Sequence, residues 1–427
     1  MEVGLLIGFG AIVVILMVIG VPIYISFLAG SAFYVIFDPR LHFATVAQML
    51  LSGLDKWSLI AIPFYVLAGL LLAYGGAAKY LVDFMDEMVG HIRGGMQIAA
   101  VLACMFFSAM SGSGPATTVA IGAVMLGPMV ALGYKKENAM GAIATTGTLG
   151  NIIPPSIAFV VIGSLVSQDV GKLFVGGIIP GLVIGGCIAV TAYIMARKEN
   201  YKMRSPSGWA EKGRALVKGI PALMMPVIIL GGIYGGIFTP TEAAGVACLW
   251  SVIASLIYRE FSWAKTRTAL LDAMKTTTRL FLLIGSAMVF GLILTYNGIP
   301  QMVTQLVSDA GLPLLGYMGL CLILYLVLGM LLDAAPIVII TLPVIWPAAM
   351  AVGADPIHFV IFMTGAVVAG QATPPYGINL FAMAGLTQEP VGNVIRGAIP
   401  FIIALYVGLV IIMLIPFLST WLPSFMH

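Results

Sequence analysis

Two proline pairs set the chemistry of this chain. Pro154 and Pro155 lie in GNIIPPSI, Pro374 and Pro375 lie in GQATPPYG, and each pair interrupts a long apolar stretch. Proline removes an N–H donor and clashes with the carbonyl four residues earlier, so a helix is expected to break and free carbonyls around Leu149, Gly150 and Asn151. A new helix begins where proline is tolerated. The C-terminal end of one half-helix offers oxygens to a small hard cation, and the N-terminal end of the next offers N–H groups to an anion. Sodium and a carboxylate fit that pair.

Neutral oxygen donors surround both breaks: Thr145, Thr146, Thr148 and Asn151 at the first, Gln371, Thr373 and Asn379 at the second. Turns at MSGSGPA and LLDAAP add Ser108, Ser111 and Ser113 in one half and Asp333 in the other. Gly112, Gly114, Gly147, Gly150 and Gly370 would let backbone carbonyls come close to an ion. The expected sodium ligands are Ser111, Ser113, Gly114, Thr145, Gly147, Thr148 and Gly150, joined by Asp333, Gly370, Gln371 and Thr373. Expected substrate contacts are Asn151, Pro154, Pro155 and Ser156, with Pro374, Pro375 and Asn379. Asp333 also suits a helix cap, and Glu242 in TPTEAAG reads as a cap behind Thr239.

The elements that position these residues follow from composition. Of the 427 residues, 61% are hydrophobic and 9% charged, against about a quarter charged in a soluble domain. Apolar runs of roughly 20 residues recur along the chain, which predicts an all-α polytopic membrane protein. The N-terminus carries Glu2 where a signal peptide has its basic region, so it reads as the first span. The four cysteines and four histidines are scattered, without the spacing of a zinc or haem site. No P-loop motif is present, so ATP hydrolysis by that route is excluded. Sodium is the one expected metal and coupling ion, with no cofactor and no nucleic-acid partner.

The chain is also duplicated. GLLLAYGGA at 69–77 resembles GLILTYNGI at 291–299, the proline pairs follow, and GGIIP at 176–180 answers RGAIP at 396–400. These anchors keep their order at offsets of 222, 220 and 220. Repeat 1 is expected over 1–196, with spans near 3–20, 22–37 and 57–74, an arm at 76–91, a re-entrant hairpin at 95–132, a broken helix at 137–166 and a last span at 173–196. Repeat 2, over 219–427, begins with spans near 219–236, 241–258 and 278–296. An arm, a hairpin at 313–351, a broken helix at 357–388 and a span near 397–420 follow. The linker 197–218 holds seven of the twenty Lys and Arg. If it is cytoplasmic, seventeen of the twenty fall inside, with Arg40, Lys56 and Lys172 outside and both termini extracytoplasmic. The repeats are then inverted, as in many secondary transporters.

FFSAMSGSGPATTVAIGAVM, TTGTLGNIIPPSI, ARKENY, TPTEAAG, LLDAAPIVIITLPV and TPPYGINLFAMAGL resemble the large membrane subunit of tripartite ATP-independent periplasmic (TRAP) transporters. The likeness spans essentially the whole chain. It implies a sodium-driven, elevator-type symporter for an organic acid in the bacterial inner membrane, C4-dicarboxylates, sialic acid and other sugar or keto acids being the candidates. It also implies a small four-helix membrane subunit and a periplasmic binding protein as partners. The alternative is an ion-translocating subunit of a respiratory or antiporter complex, which typically carries a file of buried Lys, Glu and His. Here mid-membrane charge is nearly confined to Asp333. An intramembrane enzyme would need a nucleophile with a base, or a metal set, and neither pattern appears.

Overall fold

The computed structural model describes residues 2–426, and all regular structure within them is helical. The ends of the chain, Met1 and His427, on which the expected placement of the termini bears, lie outside the described residues. Nine of the described helices are long and apolar enough to cross a membrane. The first part of the chain runs α1 (Glu2–Val18), α2 (Ile23–Phe37), α3 (Phe43–Leu54), α4 (Ala61–Tyr74), α5 (Ala77–Val89), α6 (Gly95–Ser111) and α7 (Gly114–Ala131). It continues with α8 (Lys136–Gly147), a 3-10 turn at Thr148–Asn151, α9 (Ile157–Val166) and α10 (Val170–Glu199). The second part runs α11 (Trp209–Tyr234), α12 (Pro240–Ile257), α13 (Trp263–Tyr296), α14 (Ile299–Asp309), α15 (Leu314–Leu331) and α16 (Ala334–Ala351). It ends with α17 (Pro356–Gln371), α18 (Ile378–Thr387), α19 (Val391–Leu414) and α20 (Phe417–Thr420).

Three expectations about elements need correction. The helix α3 falls where the sequence reading placed none, because its apolar residues repeat on one face of a short amphipathic helix and never form a continuous run. The span expected from 278 begins at Trp263, since Ala269 and Ala273 bury one side of a turn sequence whose other side is polar. The linker is non-helical only over 200–208: Arg197 and Lys198 prolong α10, where basic side chains favour a helix C-terminus, and Glu211 starts α11.

Parts of the two halves exchange neighbours. The helix α12 packs on α4, and α2 packs on α13, so each half completes the other's outer layer. Glycine allows the inner helices to cross at backbone contact. A Cβ on Gly141 of α8 would collide with the Gly397 backbone of α19, and one on Gly370 of α17 would lie 2.6 Å from Gly329 Cα of α15. Such crossings are how membrane helices gain dispersion energy without a hydrophobic drive between them. On α5, Ala77, Ala78, Leu81, Val82 and Met85 are buried. Its acids Asp86 and Glu87 bind Arg204, which ties the 200–208 segment to this arm.

Candidate functional site

The helices break where the prolines require it, and both proline pairs have cis peptide bonds. Tight local turns keep most of the freed backbone groups paired. Leu149 O accepts from the N–H of Ile152 (2.9 Å) and Ile153 (2.9 Å), and Asn151 O accepts from Ser156 Oγ at 2.5 Å. The expectation of bare carbonyls at Leu149 and Asn151 is therefore corrected: a 3-10 turn shortens the helix end and consumes them. Ser156 also accepts from Phe159 N at 3.4 Å, so it caps α9. In the second half Gly370 O accepts from Thr373 N at 2.9 Å.

Side chains build the first site. Ser111 Oγ and Thr117 Oγ1 share a hydrogen bond of 2.8 Å at the tip between α6 and α7, with Ser108 Oγ 3.4 Å from the same threonine. The tip turns on Gly112, whose φ of +59 suits glycine. It rests on the first break: a Cβ at Gly150 would lie 3.0 Å from the Ser113 carbonyl carbon, and one at Gly147 would strike Thr118 Oγ1. Asn379 of α18 completes the cluster, with Nδ2 3.4 Å from Ala144 O and so close to Gly114 that a Cβ there would sit 2.9 Å from Nδ2. Three oxygens in this region, Thr118 Oγ1, Thr145 Oγ1 and Asn379 Oδ1, are buried without a hydrogen-bond partner among the described residues. A buried oxygen left unpaired is uncommon and asks for a ligand or an ion.

The second site is a chain of committed bonds. Asn151 Nδ2 donates to Gln371 Oε1 at 3.1 Å, Gln371 Nε2 donates to Asp333 Oδ1 at 2.5 Å, and Ala334 N donates to the same oxygen at 2.8 Å. Asp333 thus caps α16 and also receives the end of a hydrogen-bond chain running from the other half. Its Oδ2 has no hydrogen-bond partner among the described residues, and the residue is exposed to a cavity.

Most of the expected site residues converge, and a few do not. Ser111, Ser113, Gly114, Thr145, Gly147 and Gly150 gather at the first tip, together with Asn379, which the sequence alone groups with the substrate contacts. Thr148 donates to Thr145 O at 2.7 Å, bonding its own turn. Thr373 donates to Ala369 O at 2.6 Å and meets Tyr406 Oη of α19 at 3.0 Å, away from Asp333. Gly370 serves the α15–α17 crossing. Pro154 and Pro155 are buried under the first tip, whereas Pro375 and Tyr376 are exposed. Glu242 is a cap: its Oε2 accepts from Thr239 N and Oγ1, each at 2.8 Å, while its own N–H reaches Thr239 Oγ1 at 3.3 Å.

The family model of the tripartite ATP-independent periplasmic transporter, DctM component, matches residues 10–418. The chain belongs to this family. It is 39% identical to the C4-dicarboxylate TRAP transporter large permease protein DctM of Vibrio cholerae, over 97% of this chain and 96% of that one. It is 34% identical to the isethionate TRAP transporter permease protein DctMQ of Oleidesulfovibrio alaskensis, over 94% of this chain and 63% of that longer one. The fold is similar to that of the solved YdaH transporter of Alcanivorax borkumensis, with a TM-score of 0.59, 13% identity and 89% of each chain covered.

Membership in the TRAP DctM family makes this chain a transporter component, a multi-pass membrane protein whose relatives are permeases rather than enzymes. The respiratory or antiporter alternative is left without support. Sequence reasoning missed Thr117 and Thr118 at this DctM site. Their signal was present: they follow Ser113 and Gly114 by four residues, one turn along the same face of the hairpin's second helix.

Proposed function

We propose that this chain is the permease of a sodium-driven importer for an organic acid, a C4-dicarboxylate, sialic acid or a related carboxylate. A periplasmic binding protein delivers the acid, and a small four-helix membrane subunit completes the complex in the bacterial inner membrane. The hairpins and broken helices of two inverted repeats move as an elevator against the outer helices, with both termini periplasmic and the 197–218 linker cytoplasmic.

One observation carries the sodium assignment: the uncommitted buried oxygens of Thr118, Thr145 and Asn379 beside the first tip. Hard cations take oxygen ligands, and an ion bound beside the tip supplies a partner to oxygens that have none. Asp333, which lines the cavity and whose Oδ2 has no hydrogen-bond partner among the described residues, is the anionic ligand of a second sodium position. The C4-dicarboxylate and isethionate named for two relatives favour an anionic cargo, and the longer DctMQ chain favours a membrane partner beside the DctM part.

The test is uptake into proteoliposomes holding the membrane complex, with the cognate binding protein added outside. Uptake is expected only with an inward sodium gradient and the binding protein together. Uptake by the membrane parts alone, or equal uptake without sodium, overturns the reading. Orientation is checked separately by a cysteine placed at Ser205: reaction with an impermeant reagent in intact cells contradicts a cytoplasmic linker.

A further inference from the structure

A cavity of about 410 Å3 opens beside the second tip, between the start of α2, the middle of α13 and the first turn of α16. Its hairpin wall presents Asp333 and Pro336, and its outer wall presents Tyr24, Arg279, Leu280 and Leu283. Its volume falls in the range of small-molecule sites, and its lining has the usual form of apolar surface with a few polar groups.

Arg279 is the unexplained residue. Elsewhere on α13, Lys265 meets Glu260 at 2.5 Å and Lys275 meets Asp272 at 3.5 Å. Arg279, one turn beyond Lys275, has no carboxylate or hydrogen-bond partner among the described residues and is exposed to the cavity. It does not pair with Asp333 across the space, although both face it. Arg279 stands where the polar run 275–278 gives way to Leu280, Leu282 and Leu283, and a cation bordering an apolar stretch is costly unless it faces water, a polar cavity or a ligand. The hydroxyl of Tyr24 on the same wall is likewise without a partner among the described residues.

We propose that Arg279 is the anion-binding residue of this cavity, taking a carboxylate or sulfonate of the transported acid, with the Tyr24 hydroxyl as a neutral donor beside it. The inference rests on the acid-transport reading. The guanidinium fork matches a carboxylate with two parallel N–H donors, which a lysine ammonium cannot reproduce. An acid seated there faces Asp333, and the two anions repel until a cation occupies Asp333. Sodium at Asp333 and acid at Arg279 therefore favour each other, and by linkage each raises the affinity for the other equally.

The experiment uses the purified membrane complex in lipid nanodiscs, with thermal stability titrated by succinate and by isethionate in saturating sodium, and uptake measured in parallel. In Arg279→Gln the half-saturating concentration of the stabilising anion is expected to rise roughly ten- to a hundredfold, as loss of a charge-assisted pair predicts. Arg279→Lys is expected to recover part of this and Tyr24→Phe to shift it by less. Stabilisation by sodium alone stays at the wild-type value in Arg279→Gln. A charge that serves only membrane topology lowers the yield of folded complex and leaves the half-saturating concentration unchanged, and that result overturns the proposal. Should the wild-type complex neither bind nor carry either anion, this proposal falls for both anion classes, whereas the transport reading falls only if the sodium-gradient uptake test also fails.

Discussion

The two hairpin tips occupy matching places in the duplicated chain and carry opposite chemistry. At the 220-residue offset of the proline pairs, Ser113 corresponds to Asp333 and Asn151 to Gln371. The first tip is neutral and closed: Pro154, Pro155 and Ser156 are buried beneath it, and its polar atoms include three oxygens without partners. The second tip is acidic and open, with Asp333, Pro375 and Tyr376 exposed and the acid already held by Gln371. One hydrogen bond, Asn151 to Gln371, joins the two breaks through residues that are themselves equivalent. The matching positions share a frame, and the residue types at the tips leave neutral oxygens on one side and a carboxylate on the other.

The largest expected effect comes from removing that charge. Asp333→Ala is expected to abolish uptake in a complex that still assembles, because the sodium position proposed at this acid would lose its anionic ligand. Uptake against sodium concentration decides it. An unchanged sodium curve reduces Asp333 to a cap, worth about 1 kcal/mol of stability.

At the neutral tip, Thr145→Val removes an unpaired hydroxyl without changing shape. The half-saturating sodium concentration is expected to rise about tenfold, while the sodium-free protein becomes no less stable, since an unsatisfied buried polar group costs about 1–3 kcal/mol. Thermal melts with and without sodium read both quantities. Lower stability without sodium assigns the hydroxyl a structural partner and breaks the contrast between the tips.

The bond between the breaks is probed by a cycle. Asn151→Ala and Gln371→Ala are each expected to destabilise by about 1–2 kcal/mol, with a coupling of about 0.5–1.5 kcal/mol in the double variant. Strict additivity in denaturation would mean that the two halves are polar neighbours without energetic linkage.

The smallest effect lies at the aqueous ends of the same broken helices, where Lys136 of α8 meets Glu389 beyond α18 at 2.6 Å. The hydrogen bond from Lys136 holds the Glu389 carboxyl below the ordinary carboxylate range. A depressed acid stabilises the fold above its unfolded value, near 4.3, and that contribution disappears as pH falls through the folded value. Wild type and Glu389→Gln should therefore differ slightly in melting temperature at pH 7 and converge in acid. Both side chains are partly exposed, so salt should shrink the difference.

Much of this was legible in the chain. Long apolar runs dictate helices in lipid because no other partner exists for the backbone, so α4, α6, α7 and α10 stand within a few residues of their expected ends. Prolines dictate breaks through a missing donor, and the breaks stand at 152–156 and 372–377. The helix α3 and the early start of α13 were not legible, because an amphipathic helix at an interface has no run of apolar residues to announce it.

Residue type alone determined that the site holds neutral oxygens and one acid. Only the tertiary structure decided which of those oxygens remain available. Thr145 and Thr148 look alike in the sequence, yet Thr148 donates its hydroxyl to the carbonyl of Thr145 while the Thr145 hydroxyl has no partner among the described residues. Asn379 reaches the first tip from the far half, and Arg279 comes to face Asp333 from another helix. Hydrogen bonds are exclusive and short-ranged, so their allocation depends on which helices cross, and that is set by packing at glycines such as Gly141, Gly150 and Gly370 rather than by the polar side chains themselves.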